Sequence, residues 1–259
     1  MTTPDQKNLT DSPEAIEDLK MPLVEHLREL RRRLLVVFIT VFVAFIIAWG
    51  FSGEILEFLK APVAKYGKLQ FDTVSDPFFT HMKASFYAAL FFTFPLTIWQ
   101  IWLFVGPGLY KQEKKIAWPF LLLSFPLFVG GGLFCFAVVF PAATDFLINF
   151  DHELIPSLRI GDYLSFVLQM ILVFGLIFEL PLISLLLTRI GVLTPTFLHK
   201  NRRYSIVLIF VIAAILTPTP DVYTQMLMAV PLMVLYEVSL LVSWLALPRK
   251  PKVKADPQP

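Results

Sequence analysis

The chain has 259 residues, 56% hydrophobic and 15% aromatic, with 16% charged and a net charge of +2. A soluble domain carries about 25% charged residues, and here the charges gather between long apolar runs, which excludes an ordinary soluble fold and describes a polytopic helical membrane protein. The single cysteine, Cys135, cannot form an internal disulfide, and no metal-ligand spacing exists, so neither a metal nor another cofactor is expected, nor a nucleic-acid partner.

Residues 1–20 are polar and hold Asp5, Asp11, Glu14, Glu17 and Asp18. They lack a secretory n-region and a cleavage site, so they are expected to form a disordered cytoplasmic tail. From Met21 the pattern becomes helical. Leu23, Leu27, Leu30 and Leu34 share one face, while Glu25, Glu29 and Arg33 stand at i, i+4 spacing on another. Between Arg33 and Glu54 lie twenty uncharged residues, about what a hydrocarbon core of roughly 30 Å requires. A helix that starts on or near the membrane surface thus leads into a first span at about 34–52, with Arg31 to Arg33 marking the side it enters from.

A mixed segment with amphipathic character follows, then an uncharged run broken by Pro95 and Pro107, giving a second span at about 84–106. The basic loop YKQEKK (110–115) precedes a third span at about 117–140, which contains the triplet Gly130–Gly132 and Pro126. Prolines and glycines inside spans mark bends or close helix contacts. The fourth span, about 163–188, encloses Glu179 and Pro181. The fifth, about 204–217, is short; it ends at the stiff turn TPTPD, and the sixth runs from about 222 to 246 with Glu237 inside it. The whole membrane domain is 21–247, and residues 248–259 form a basic tail.

Lysine and arginine alone set the orientation. The N-terminal segment, the 106–117 loop, the 189–203 loop and the C-terminal tail hold seventeen of them, the opposite loops four, and Lys83 sits at a boundary. Both termini are therefore expected in the cytoplasm. Trp49, Trp99, Trp102, Trp118 and Trp244 fall mostly near span ends, as interfacial anchors do.

Three acids carry candidate chemistry. Glu29 and Glu113 lie within basic segments; they either form local ion pairs, worth little when exposed, or offer carboxylates to a cationic ligand that an arginine fork can bind. Glu179 lies inside a span with no countercharge in FGLIFELPLIS, and an intramembrane ionisable residue is by default a functional candidate. Glu237 reads as an interfacial or packing residue. The sequence has no HExxH, GxSxG or phosphate-loop glycine pattern, so no enzyme is expected. From the residues alone, a proton-coupled small-solute transporter using Glu179 stays open, although no inverted repeat is visible.

Four stretches in order, HLRELRRRL (26–34), WLFVGPGLYKQEKK (102–115), YLSFVLQMILVFGLIFELP (163–181) and LTPTPDVYTQMLMAVP (216–231), resemble the TatC family, the multispanning core of the twin-arginine protein translocase. The resemblance covers nearly all of 21–247. It implies an all-α membrane protein with six spans, both termini cytoplasmic, arranged as a concave bundle with short fifth and sixth spans in a prokaryotic inner membrane. It further implies binding of twin-arginine signal peptides, work with TatA- and TatB-type single-span proteins in a multi-copy receptor complex, and export of folded cargo on the proton-motive force. By position, Glu29 and Glu113 match the family's signal-peptide acids, with Arg31 and Phe104 nearby. Glu179 matches its intramembrane glutamate, Thr217 and Gln225 a polar cluster where partner helices dock, and Pro62 and Asp221 far-side structural residues.

Overall fold

The structure, a computed structural model, describes residues 13–66, 69–105, 114–150, 159–217 and 221–246. Within them the chain forms ten α-helices and no strand, with one isolated parallel bridge between Gln70 and Arg159. The loop 106–113, the TPTPD centre at 218–220 and the basic tail lie outside the described residues.

Helix α1, Pro13–Gly50, runs unbroken for 38 residues, about 57 Å at 1.5 Å per residue. That is nearly twice a hydrocarbon core, so the charged half and the apolar half are one rod. It starts inside the segment expected to be an unstructured tail; proline suits a first helical turn, where its missing N–H costs nothing. Helix α2, Ser52–Lys60, and a 3-10 turn, Ala61–Tyr66, follow at its far end.

Helix α3, Asp76–Val105, begins about eight residues before the expected second span. The cause is local. Asp76 accepts the amides of Asp72 (2.8 Å) and Thr73 (3.0 Å) and the Thr73 hydroxyl (2.6 Å), which ties down the turn and starts the helix early. Pro95 is carried inside the helix.

Helix α4, Lys114–Phe134, continues through a π-helical turn, Cys135–Val139, into α5, Phe140–Ile148. The amide of Phe140 reaches back five residues to the carbonyl of Cys135. This wider turn accommodates Pro141, which lacks the N–H of a regular helix. Helices α6, Ile160–Phe178, and α7, Leu180–Arg189, meet at a break at Glu179, with Pro181 in the first turn of α7. Helix α8, Pro195–Lys200, is capped by the Thr194 hydroxyl.

Helix α9, Arg202–Leu216, has 15 residues even with both arginines included, about 22 Å. Among the described residues, five stretches are long and apolar enough to cross a membrane: Val24–Gly50, Asp76–Phe104, Leu122–Ile148, Ile160–Arg189 and Val222–Ala246. Helix α10, Val222–Ala246, has 25 residues, about 37 Å. The expectation of a short sixth span is therefore corrected: Pro231 sits within the helix without ending it, and the apolar run reaches Ala246.

Helix α1 packs on α3, α4 on α6, and α10 on both α7 and α9. Of the triplet expected at close helix contacts, Gly131 and Gly132 are found there and Gly130 faces open space. A Cβ on Gly131 would lie 2.6 Å from the carbonyl oxygen of Phe174, and one on Gly175 would lie 2.7 Å from the ring of Phe128. One core cluster joins α2, α3 and α6 through Leu56, Leu59, Ala84, Leu164 and Val167, and the Tyr163 hydroxyl donates to the Leu59 carbonyl at 2.6 Å. This cap is also tied by Arg159–Asp72 (3.1 Å) and Lys65–Asp145 (3.2 Å). A second cluster joins the π turn, α6, α9 and α10 through Val139, Phe174, Ala213 and Met228.

Candidate functional site

The charged half of α1 meets the last turns of α3. The rings of His26 and Phe104 stack with centroids 4.3 Å apart. Arg33 donates to the Gln100 side-chain carbonyl at 3.0 Å, and its Nε and Nη2 converge on Glu29 Oε1 at 2.7 and 2.6 Å. Gln100 and Phe104 lie one turn apart on α3, so that turn presents both groups to α1.

Glu29 thus forms the local ion pair that its i, i+4 spacing allows, and Oε2 accepts no hydrogen bond from any described residue. The pair is part-exposed, so a further guanidinium has access to that oxygen. Arg31, on the same helix, is exposed. Glu113 lies outside the described residues, one position before α4 begins. Arg33 carries the i, i+4 signal beside Glu29, whereas nothing in the local pattern marks His26 or Gln100 as its neighbours. Gln100, a lone amide in an apolar run, was the available signal.

Glu179 sits at the α6–α7 break and is only 3% exposed. No hydrogen bond of good geometry reaches either carboxylate oxygen or the buried hydroxyl of Ser124 on α4, which lies beside the carboxyl. Buried polar groups are nearly always paired. Two on facing helices, a carboxyl and a hydroxyl, form a site able to donate to and accept from one incoming polar group.

A third polar group lies where α9 turns into α10. Thr217 is 9% exposed and ends α9, its hydroxyl 3.4 Å from the Ala214 carbonyl. Gln225 donates from Nε2 to the Phe210 carbonyl at 3.1 Å, across from α10 to α9. Asp221 Oδ1 accepts the Thr224 amide at 2.6 Å and so caps α10. These bonds stay within α9 and the start of α10, and none of them reaches Glu179. Pro62 lies in the 3-10 turn of the cap, half-buried beside Val63.

Glu237 pairs with Arg202 at 2.6 Å, fastening the start of α9 to α10, a packing role of the kind expected. A polar ladder between α7 and α10 escaped sequence reading: the hydroxyls of Thr188 and Ser243 bond each other, and Ser184 donates to the Ser239 carbonyl at 3.2 Å.

Residues 25–231 match the family described as Sec-independent protein translocase protein (TatC). A protein of that name from Magnetococcus marinus is 43% identical over 228 residues, spanning 85% of this chain and 83% of the relative. The Aquifex aeolicus protein of the same name is 40% identical over 240 residues, spanning 90% and 99%. A crystal structure of the twin arginine translocase receptor TatC is similar with a TM-score of 0.78 at 39% identity, covering 85% of this chain and 99% of that one.

Proposed function

We propose that this chain, which belongs to the TatC family of Sec-independent protein translocase proteins, is the receptor that recognises twin-arginine signal peptides for export of folded proteins. At the coarser level it is a core subunit of the twin-arginine translocase and a multi-pass protein of the bacterial inner membrane, in a family of translocase components rather than enzymes. In the proposed reading both termini are cytoplasmic, six helices cross, and Glu29 and Glu113 receive the paired arginines, with Arg31 and Phe104 beside them.

The observation that carries this reading is the arrangement around Glu29. Its carboxylate is fixed by Arg33, which is itself braced by Gln100 on α3, and one oxygen remains open. A fixed, part-exposed acceptor loses little freedom when a guanidinium docks, and charge-assisted hydrogen bonds are among the stronger kind. Partner helices of the TatA and TatB type would meet the polar groups at Glu179, Thr217 and Gln225, while Pro62 and Asp221 shape the opposite end. Several copies would assemble in one receptor complex, and the proton-motive force would drive transport.

The test is binding of a photo-crosslinkable twin-arginine peptide to native membranes. Glu29→Ala and Glu113→Ala should each cost on the order of 1.5–3 kcal/mol, about tenfold or more in affinity, with normal insertion. Unchanged binding in the double variant would return Glu29 to its ion pair with Arg33 and remove it from recognition.

A further inference from the structure

Lys83 stands seven positions into α3, about 10 Å along the helix from Asp76, and its side chain is exposed. A cation at that depth in a membrane span is costly unless it reaches the interface or finds an anion. Its ammonium donates to Ser165 Oγ on α6 at 2.9 Å, and the Ser165 hydroxyl hydrogen is already given to the Gly161 carbonyl at 2.7 Å.

An ammonium has three N–H donors, so two remain. Among the described residues no carboxylate lies within ion-pairing distance of it. Asp76 acts on it through space, but its oxygens are occupied by Asp72 and Thr73. Ser165 therefore aims the ammonium without neutralising it.

Beside Lys83 opens an apolar groove of about 650 Å³ between α1 and α3, lined by Leu34, Phe38, Phe42, Met82 and Phe86 among others. On α1 it runs from Leu34 to Phe45, about 16 Å, close to the depth of one leaflet of a core roughly 30 Å thick. Phe38, Phe42 and Phe86 are 68%, 54% and 46% exposed, so the groove faces the lipid side.

We propose that this groove binds one anionic phospholipid from the leaflet at the Asp76 end of α3. Its phosphate takes the two remaining N–H groups of Lys83, and an acyl chain lies along the groove towards Leu34. The groove supplies apolar contact and the lysine supplies the charge complement, a pairing that fits an acidic lipid better than an uncharged helix.

The experiment is native mass spectrometry of the full chain in mild detergent, titrated with phosphatidylglycerol or with phosphatidylcholine of the same acyl chains. One phosphatidylglycerol should persist, about fivefold tighter than phosphatidylcholine, as one lysine contributes near a membrane surface. Lys83→Gln should bring the two lipids level and Lys83→Arg should keep the difference. A phosphatidylglycerol preference that survives undiminished in the glutamine variant, or no persistent lipid on the unsubstituted protein, overturns the proposal, and the second result leaves the groove to a partner helix. As a check that needs no substitution, phosphatidylglycerol with a photoactivatable acyl chain should label peptides 34–45 and 82–90. Labelling confined to other helices overturns it equally.

Discussion

At Glu179 the backbone and the side chain make the same demand. Pro181 cannot supply a helical N–H, the α6–α7 path breaks two residues before it, and the carboxyl at the break is buried with neither oxygen in a hydrogen bond of good geometry. A carboxylic acid can donate and accept, and a glutamine of the same shape can do both. If the role is to dock a polar group of a partner helix, Glu179→Gln should keep most export of a folded twin-arginine reporter. Glu179→Ala should lose several-fold more, since a polar group facing hydrocarbon loses its bond. A proton carrier would be as dead with glutamine as with alanine, because the amide does not titrate. Export at matched membrane levels separates the two, and equal, complete loss would favour the transporter-like relay. The sequence displayed Glu179 because a charge in an apolar run is conspicuous. It could not display Ser124, one hydroxyl among many, whose place opposite the acid depends on how α4 meets α6. Glu29 was legible for the same reason as Glu179, and its i, i+4 partner Arg33 with it, whereas the Gln100 brace requires α1 and α3 to be side by side.

Helix pairs are held by small residues and local polar bonds, and here neighbouring positions differ sharply. A Cβ on Gly130 would meet nothing within 4 Å, while one on Gly131 would collide with the Phe174 carbonyl oxygen at 2.6 Å. That oxygen belongs to the α6 backbone and cannot swing aside, so the helices must separate. Gly131→Ala should cost about 1–3 kcal/mol, as overpacking does, and lower the melting temperature in detergent by several degrees. Gly130→Ala should leave it unchanged or raise it slightly, because alanine is the better helix former. Equal effects would mean that α4 and α6 do not meet at Gly131. The triplet announced close packing, but only the rotation of α4 decides which glycine bears it. The π turn after it was not legible, since inserting one residue into a turn leaves the apolar pattern intact. The α7–α10 ladder hid in the same way, because Ser184, Thr188, Ser239 and Ser243 look like ordinary span residues until the two helices are paired. By contrast, the early start of α3 has a visible sign in the sequence, Asp76 before Pro77.

For the whole molecule the open matter is parity, and it turns on α9. Among the described residues, five stretches are long and apolar enough to cross. If they alone crossed, the two termini would lie on opposite sides, and the seventeen basic residues counted on one side would be divided. If α9 also crosses, the termini share a side and the lysine and arginine asymmetry is satisfied in every loop. At about 22 Å the helix falls short of a core of roughly 30 Å, so crossing requires thinning of the bilayer or flanking groups that reach its interfaces. Arg202, which pairs with Glu237, and Arg203 stand at one end of it, and Thr217, whose hydroxyl bonds back to the helix, closes the other. Single cysteines at Lys114, His199 and Lys252 should therefore label from the cytoplasm with a membrane-impermeant maleimide. Cysteines at Asp72, Asp151 and Asp221 should label only from the opposite side. The native Cys135 is fully buried and should stay silent. Should α9 fail to cross, His199 and Asp221 would label from the same side and Lys252 from the far one, while Lys114 and Asp72 stayed opposed. That pattern would remove the fifth span and the shared terminal side together, and leave the first four spans standing.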